Sequence, residues 1–288
     1  MSLRTSLFAL CLLSLAGMAH AGAIYRVTTE IFAEGNQFYD APESSITVTK
    51  VEGNRMRSDT QDLEGETKSS VIFLGETDEM YMIDHEKKSY IVMDRESVEA
   101  MANQMSEAMQ KMQQAMAQIP PEQRAMMEKM MKDKMAGDPN YKPPSPPVVT
   151  SLGQNGNVNG ISCEWKQVTR DDVLEEKACV CNQNEIAGGP EMVALAHEMR
   201  DFAEGLTKLA NSVSSMPMLG GGGTMGDFAM AMTADLGGFS LISEHYDGEG
   251  KLMRRSTFES ADEVSVADEE FVPPSGYKRQ TFADLTRR

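Results

Sequence analysis

Between Ala23 and Met93 apolar and polar residues alternate in short runs. Ile24 to Phe32 alternates loosely, whereas Ile46-Thr47-Val48-Thr49-Lys50-Val51 alternates cleanly before the turn residues Glu52-Gly53-Asn54. Ser70 to Leu74, Met80 to Ile83 and Tyr90 to Met93 follow, each only a few residues long and separated by Gly, Asn and Asp clusters. Period-two runs with such punctuation predict an antiparallel meander rather than alternating βαβ units. At Arg95 the period changes. Val98, Met101, Met105, Met109, Met112, Met116 and Ile119 take helical spacing and fall within an arc of roughly 80°. Pro120-Pro121 ends that helix and a second, Glu122 to Met135, follows, so a Met-rich helical insertion is expected over 95–136. A Pro-rich connection, 137–147, returns the chain to strands.

Strands resume at Val148. Arg170-Asp171-Asp172 reads as the turn of a hairpin whose ends carry Cys163, Cys179 and Cys181. A helix is expected over Glu191 to Ala210, with Met192, Leu195, Met199, Phe202, Leu206 and Leu209 on one face. After the run Gly220 to Gly223, Phe239–Tyr246 and Lys251–Phe258 flank Asp247-Gly248-Glu249-Gly250 as a hairpin, and an edge element is expected near Tyr277-Lys278-Arg279. Neither strand set buries a face without the other. The fold expected is therefore one α+β domain over 22–288, a large twisted antiparallel sheet with its helices on one side.

Residues 1–21 stand apart from this pattern. Arg4, the apolar stretch Leu7 to Ala19 and the small-x-small sequence Ala19-His20-Ala21 read as a cleavable signal peptide, and hence export to a bacterial periplasm. The apolar core is about 13 residues, short of the ~20 needed to span a bilayer. In an oxidising compartment the three remaining cysteines favour one disulfide. Cys179 and Cys181 share a face, so either can meet Cys163; Cys179 is taken as the partner. The other reading of Cys179-x-Cys181 is a soft-metal or redox pair.

Charge and chemistry narrow the function. A formal charge of −17 argues against nucleic-acid binding and against docking on anionic lipid. There is no Lys-bearing phosphate loop and no Gly-x-Ser-x-Gly elbow. His197-Glu198-Met199-Arg200-Asp201 misses the zinc-protease helix by its last residue. The acidic stretch Glu259, Asp262, Glu263, Asp268, Glu269 and Glu270 lacks calcium-loop spacing and reads as a solvated face. No nucleophile, base and orienter fall together, so no enzyme, metal or cofactor is expected. What exceeds background is methionine, 24 of 288 residues. Met101, Met105, Met109, Met112 and Met116 have three readings: core packing, a pliable apolar surface for a ligand or partner, or soft donors for Cu(I) or Ag(I).

The turn-plus-arginine element Gly53-Asn54-Arg55-Met56-Arg57-Ser58-Asp59 and the run Ile83-Asp84-His85-Glu86-Lys87-Lys88-Ser89-Tyr90 carry a resemblance. With the strand order, they resemble an exported bacterial family of unknown function. That family is similar to the LolA/LolB-like lipoprotein-carrier fold, a half-open antiparallel barrel with helices against its concave face. Ile119-Pro120-Pro121-Glu122-Gln123-Arg124 also resembles the helix-opening motif of small helical periplasmic chaperones. The carrier resemblance implies a cavity for acyl chains or another apolar ligand. The expectation is thus a non-enzymatic periplasmic binding protein that takes a lipid, acyl chain or protein segment on a surface formed by the sheet and the five stripe methionines. The alternative is a Met-rich Cu(I)/Ag(I)-binding or chaperone-like envelope-stress protein.

Overall fold

The computed structural model describes residues 22–32, 44–97, 99, 100, 103, 107, 111, 145–213 and 235–281. The signal-peptide region and the five stripe methionines lie outside the described residues, as does most of the Met-rich segment. Six strands come first: β1 (Ala23–Ile31), β2 (Ser44–Glu52), β3 (Arg55–Gln61), β4 (Thr67–Leu74), β5 (Glu79–Asp84) and β6 (Ser89–Met93). Helical backbone then starts at Arg95. Asp94 caps that start, because its carboxylate accepts from Ser97 N at 2.6 Å while Ser97 Oγ accepts from Asp94 N at 2.9 Å. The chain continues through β7 (Val148–Val158), β8 (Ile161–Arg170) and β9 (Val173–Cys181) to the helix α1 (Gly189–Val213). It closes with β10 (Phe239–Tyr246), β11 (Leu252–Glu263) and β12 (Lys278–Gln280).

All twelve strands join one open sheet in the order β12-β6-β5-β4-β3-β2-β1-β11-β10-β9-β8-β7. Every pairing is antiparallel except β12 with β6. Short turns set the meander. Asn159-Gly160 and Asp171-Asp172 both have positive φ at their two central residues, the two-residue turn whose twist matches flanking strands.

One face of the sheet packs on α1. Its core takes Tyr25, Val51, Met56, Phe73, Met80, Met93, Phe258, Leu241, Cys179 and Cys163 from strands across the sheet, and Leu195, Met199 and Phe202 from the helix. Met192 packs against this cluster, so the helical face expected from the sequence docks from Met192 to Phe202; the side chains of Leu206 and Leu209 lie outside the described residues. Full burial of side chains of this size stabilises by about 1.5–3 kcal/mol each. The helix enters through Gly188, at φ +64, where a Cβ would come within 2.7 Å of Tyr25 Oη and 2.5 Å of Ala23 Cβ. Among the described residues α1 is the element that covers this face; the covering expected from the Met-rich segment falls outside them.

The other face is partly covered too, which the sequence reading does not foresee. Residues 264–280 run as a strap over β2 to β6, burying Val266 and Phe271 against Ile72 and Ile83, with Tyr81, Tyr90 and Tyr277 around them. The strap carries three of the acids taken for a solvated face, and two of them are paired. Glu270 meets Lys50 at 2.7 Å and Asp268 meets Arg55 at 2.7 Å, while the Arg55 guanidinium lies 4.6 Å over the Phe271 ring. Their partners are more than 200 residues away along the chain.

Candidate ligand-binding cleft

Where α1 leaves the sheet, a half-open cleft of about 380 Å³ remains, lined by Asn54, Gly75, Asp78, Arg95, Glu198, Asp201, Phe202 and Gly205. Four parts of the chain meet there. The β2–β3 turn gives Asn54, and the β4–β5 turn gives Gly75 and Asp78, the latter at φ 53. One flank of α1 gives Glu198, Asp201, Phe202 and Gly205, spaced at helical intervals. Arg95, the fourth wall, is the residue at which helical backbone starts after β6.

One apolar side chain, Phe202, lines the cleft among five polar ones. Phe202 is 8% exposed and its ring lies 5.6 Å from that of Phe73 on β4. Gly75 N donates to Asn54 O at 2.9 Å, which ties the two turns together. A Cβ on Gly75 would run into Glu198 Oε2, so the missing side chain is what lets the helix carboxylate close over the turn. The arrangement sets three carboxylates, one guanidinium and Asn54 around a single aromatic side chain.

The sequence motifs that carry the carrier resemblance meet elsewhere, under the strap. Arg57 Nε donates to Asp59 Oδ1 at 2.7 Å, and Ser70 Oγ donates to the same oxygen at 2.5 Å. Since the hydroxyl hydrogen is committed there, His85 Nε2 is the donor to Ser70 Oγ at 2.7 Å. His85 Nδ1 then accepts from the Tyr277 hydroxyl at 2.9 Å, and the two rings meet edge to face. Burial, and next the Arg57 charge, hold His85 below the usual histidine range. Ser70 is 2% exposed, so this chain of hydrogen bonds fastens the strap rather than presenting a hydroxyl to solvent. Ser70 and Tyr277 were missed in the sequence, where neither stands out in type or spacing; only the geometry joins them to Asp59 and His85.

Cys163 and Cys179 are joined in a disulfide, Cα to Cα 5.3 Å, and Cys181 is a buried free thiol. Burial, and next Glu185, push the Cys181 thiol up, which makes it a poor nucleophile. Among the described residues no group of three His, Cys, Asp or Glu side chains can hold a metal ion. His197, Glu198 and Asp201 are all exposed on α1. Met101, Met105, Met109, Met112 and Met116 lie outside the described residues. No helix among the described residues is long and apolar enough to cross a membrane.

No protein-family model matches the chain, and no curated protein sequence matches it. Solved structures do. An uncharacterized conserved protein from Thermus thermophilus aligns with a TM-score of 0.43 and 4% identity, over 91% of this chain and 90% of its own. PNGF-II aligns at a TM-score of 0.36 and 6% identity, over 92% of this chain and 32% of its own. MucB aligns at 0.36 and 9% identity over 90% of this chain, which spans 60% of the MucB chain. At these TM-scores and identities the likenesses carry no functional argument.

Proposed function

We propose that this chain is a non-enzymatic binding protein of the bacterial periplasm that holds an apolar ligand, a lipid or acyl chain, at the cleft between α1 and the sheet. The observation that carries the reading is the cleft itself. Phe202 faces a cleft that opens to solvent between Asp78, Arg95, Glu198 and Asp201, along the middle of α1, whose Leu195, Met199 and Phe202 pack on the sheet. The Met-rich segment begins at its Arg95 wall, and thioether side chains are suited to repacking around ligands of varied shape. Export follows from the leader read in residues 1–21, and the disulfide suits an oxidising compartment.

Mass spectrometry of the protein purified from periplasm without detergent tests this. The expected result is a lipid-like molecule bound at close to one per chain. Bound copper in place of lipid would favour soft-metal handling by the methionines and contradict the proposal.

A further inference from the structure

We propose that Gly156 selects the disulfide. With no side chain at 156 the Cys179 sulfur has a seat above β7 and bonds to Cys163; Cys181 is the alternative partner, to which the crosslink passes when that seat is filled.

The ladder by itself offers Cys163 a different partner. In the β8–β9 pair Glu164 stands opposite Val180 and Trp165 opposite Cys179. One further step along that register sets Cys163 opposite Cys181. Residues opposed in this way lie about 4.5–5.5 Å apart between Cα atoms, within the reach of a disulfide. All three cysteines belong to the core cluster under α1, so Cys181 is on the correct side of the sheet. Yet the bond runs diagonally, from Cys163 to the residue opposite Trp165, over a Cα separation of 5.3 Å. Both β9 cysteines are thus in range of Cys163, and a group outside the β8–β9 pair decides between them.

β7 supplies that group. Gly156 stands opposite Cys163 on the other side of β8. A Cβ built on it would lie 2.7 Å from Cys179 Sγ, 3.1 Å from Trp165 Nε1 and 3.2 Å from Cys163 Sγ. The Cys179 side chain therefore leans across β8 into the space that a side chain on β7 would hold. A sulfur locked in a crosslink cannot swing aside as a free side-chain end does, so a residue larger than glycine collides with this pairing. The backbone gives no other reason for the glycine: Gly153, on the same strand, has positive φ and Gly156 does not.

Passing the crosslink on needs no further reagent. The Cys181 thiolate attacks Cys163 Sγ, the bond from Cys163 to Cys179 breaks, and a bond from Cys163 to Cys181 forms. Cys179 leaves as a thiolate and takes up the proton that Cys181 gave, so one disulfide and one thiol stand on each side. Burial pushes the Cys181 thiol up, which holds this exchange back while the seat at Gly156 is open.

The test finds which cysteine is left free. Each chain is purified from periplasm unreduced, denatured in N-ethylmaleimide, digested and fragmented in the mass spectrometer. Wild type should carry the label on Cys181 and Gly156→Ala on Cys179. Label still confined to Cys181 in Gly156→Ala overturns the role of Gly156, and label on Cys163, Cys179 and Cys181 together overturns the passage of the crosslink. Cys179→Ala should carry no label on Cys163 or Cys181, because these two bond; label on both removes Cys181 as the alternative partner. Should Gly156→Ala fail to fold, Gly156→Ala combined with Cys179→Ala decides. With the colliding sulfur gone that chain should fold and hold the bond from Cys163 to Cys181, and its failure to fold overturns the proposal.

Discussion

His245 on β10 sits in a row with Glu176 on β9 and Arg254 on β11, one residue from each strand in register. Burial, and next the Arg254 charge, push His245 down from 6.5 to about 4. Its neutral form is thus the one the fold accepts. Below pH 6.5 the unfolded chain takes up a proton that the folded chain refuses, so stability falls as pH drops from about 6.5 to about 4 and levels off below that. The loss assigned to His245 is about 3 kcal/mol. Glu176 acts the other way, since burial pushes its carboxyl up and acid relieves the cost of its charge. Comparison with His245→Gln isolates the histidine: urea unfolding of that variant should show a flatter profile from pH 7 to pH 4. An unchanged slope would remove His245 from the account.

The elements differ in how much of them the sequence declares, and the reason is which neighbours each one has. β2 alternates in sequence at Ile46 and Val48, yet its buried residues are Ser45, Val48 and Val51, which fall on both faces, so that alternation alone does not mark the core face. β4 has Ile72 and Phe73 both fully buried, on opposite faces, because α1 covers one side and the strap the other. A strand buried on both faces reads as a continuous apolar run, and Val71-Ile72-Phe73-Leu74 is one. The docking face of α1, from Met192 to Phe202, was legible from its helical spacing. The strap was hidden by its own acids, whose cationic partners on β2 and β3 are remote in sequence. The β8–β9 hairpin was legible as far as its turn; the choice between Cys179 and Cys181 was not, since both share a face. Its crosslink, with 16 residues of separation, should contribute about 3 kcal/mol by restricting the unfolded chain. Replacing Cys163 and Cys179 together by Ala should lower stability by about that amount in reversible denaturation. In the chain without residues 1–21, thiol counting under unreduced, denaturing conditions should find one sulfhydryl, Cys181; a count of three would contradict the pairing.

At the scale of the molecule, one twelve-stranded sheet carries two covers of different kinds. On one face α1 is fixed by apolar packing; on the other the strap adds to the packing of Val266 and Phe271 on Ile72 and Ile83 its ion pairs, the Tyr277–His85 bond and three parallel residues of β12. The cleft lies at the border of the apolar cover, where the Met-bearing segment begins at Arg95, and that position is why a ligand is expected there rather than along the sealed part of α1. The central claim is where an apolar ligand binds, and hydrogen–deuterium exchange with and without Nile red measures that most directly. Amides of the β4–β5 turn around Gly75 to Asp78 and of α1 from Glu198 to Gly205 should exchange more slowly when the dye is bound, with β7 to β9 unchanged. Protection confined to β7–β9 or to the strap, or no protection at a dye concentration that saturates fluorescence, would contradict the assignment of the site.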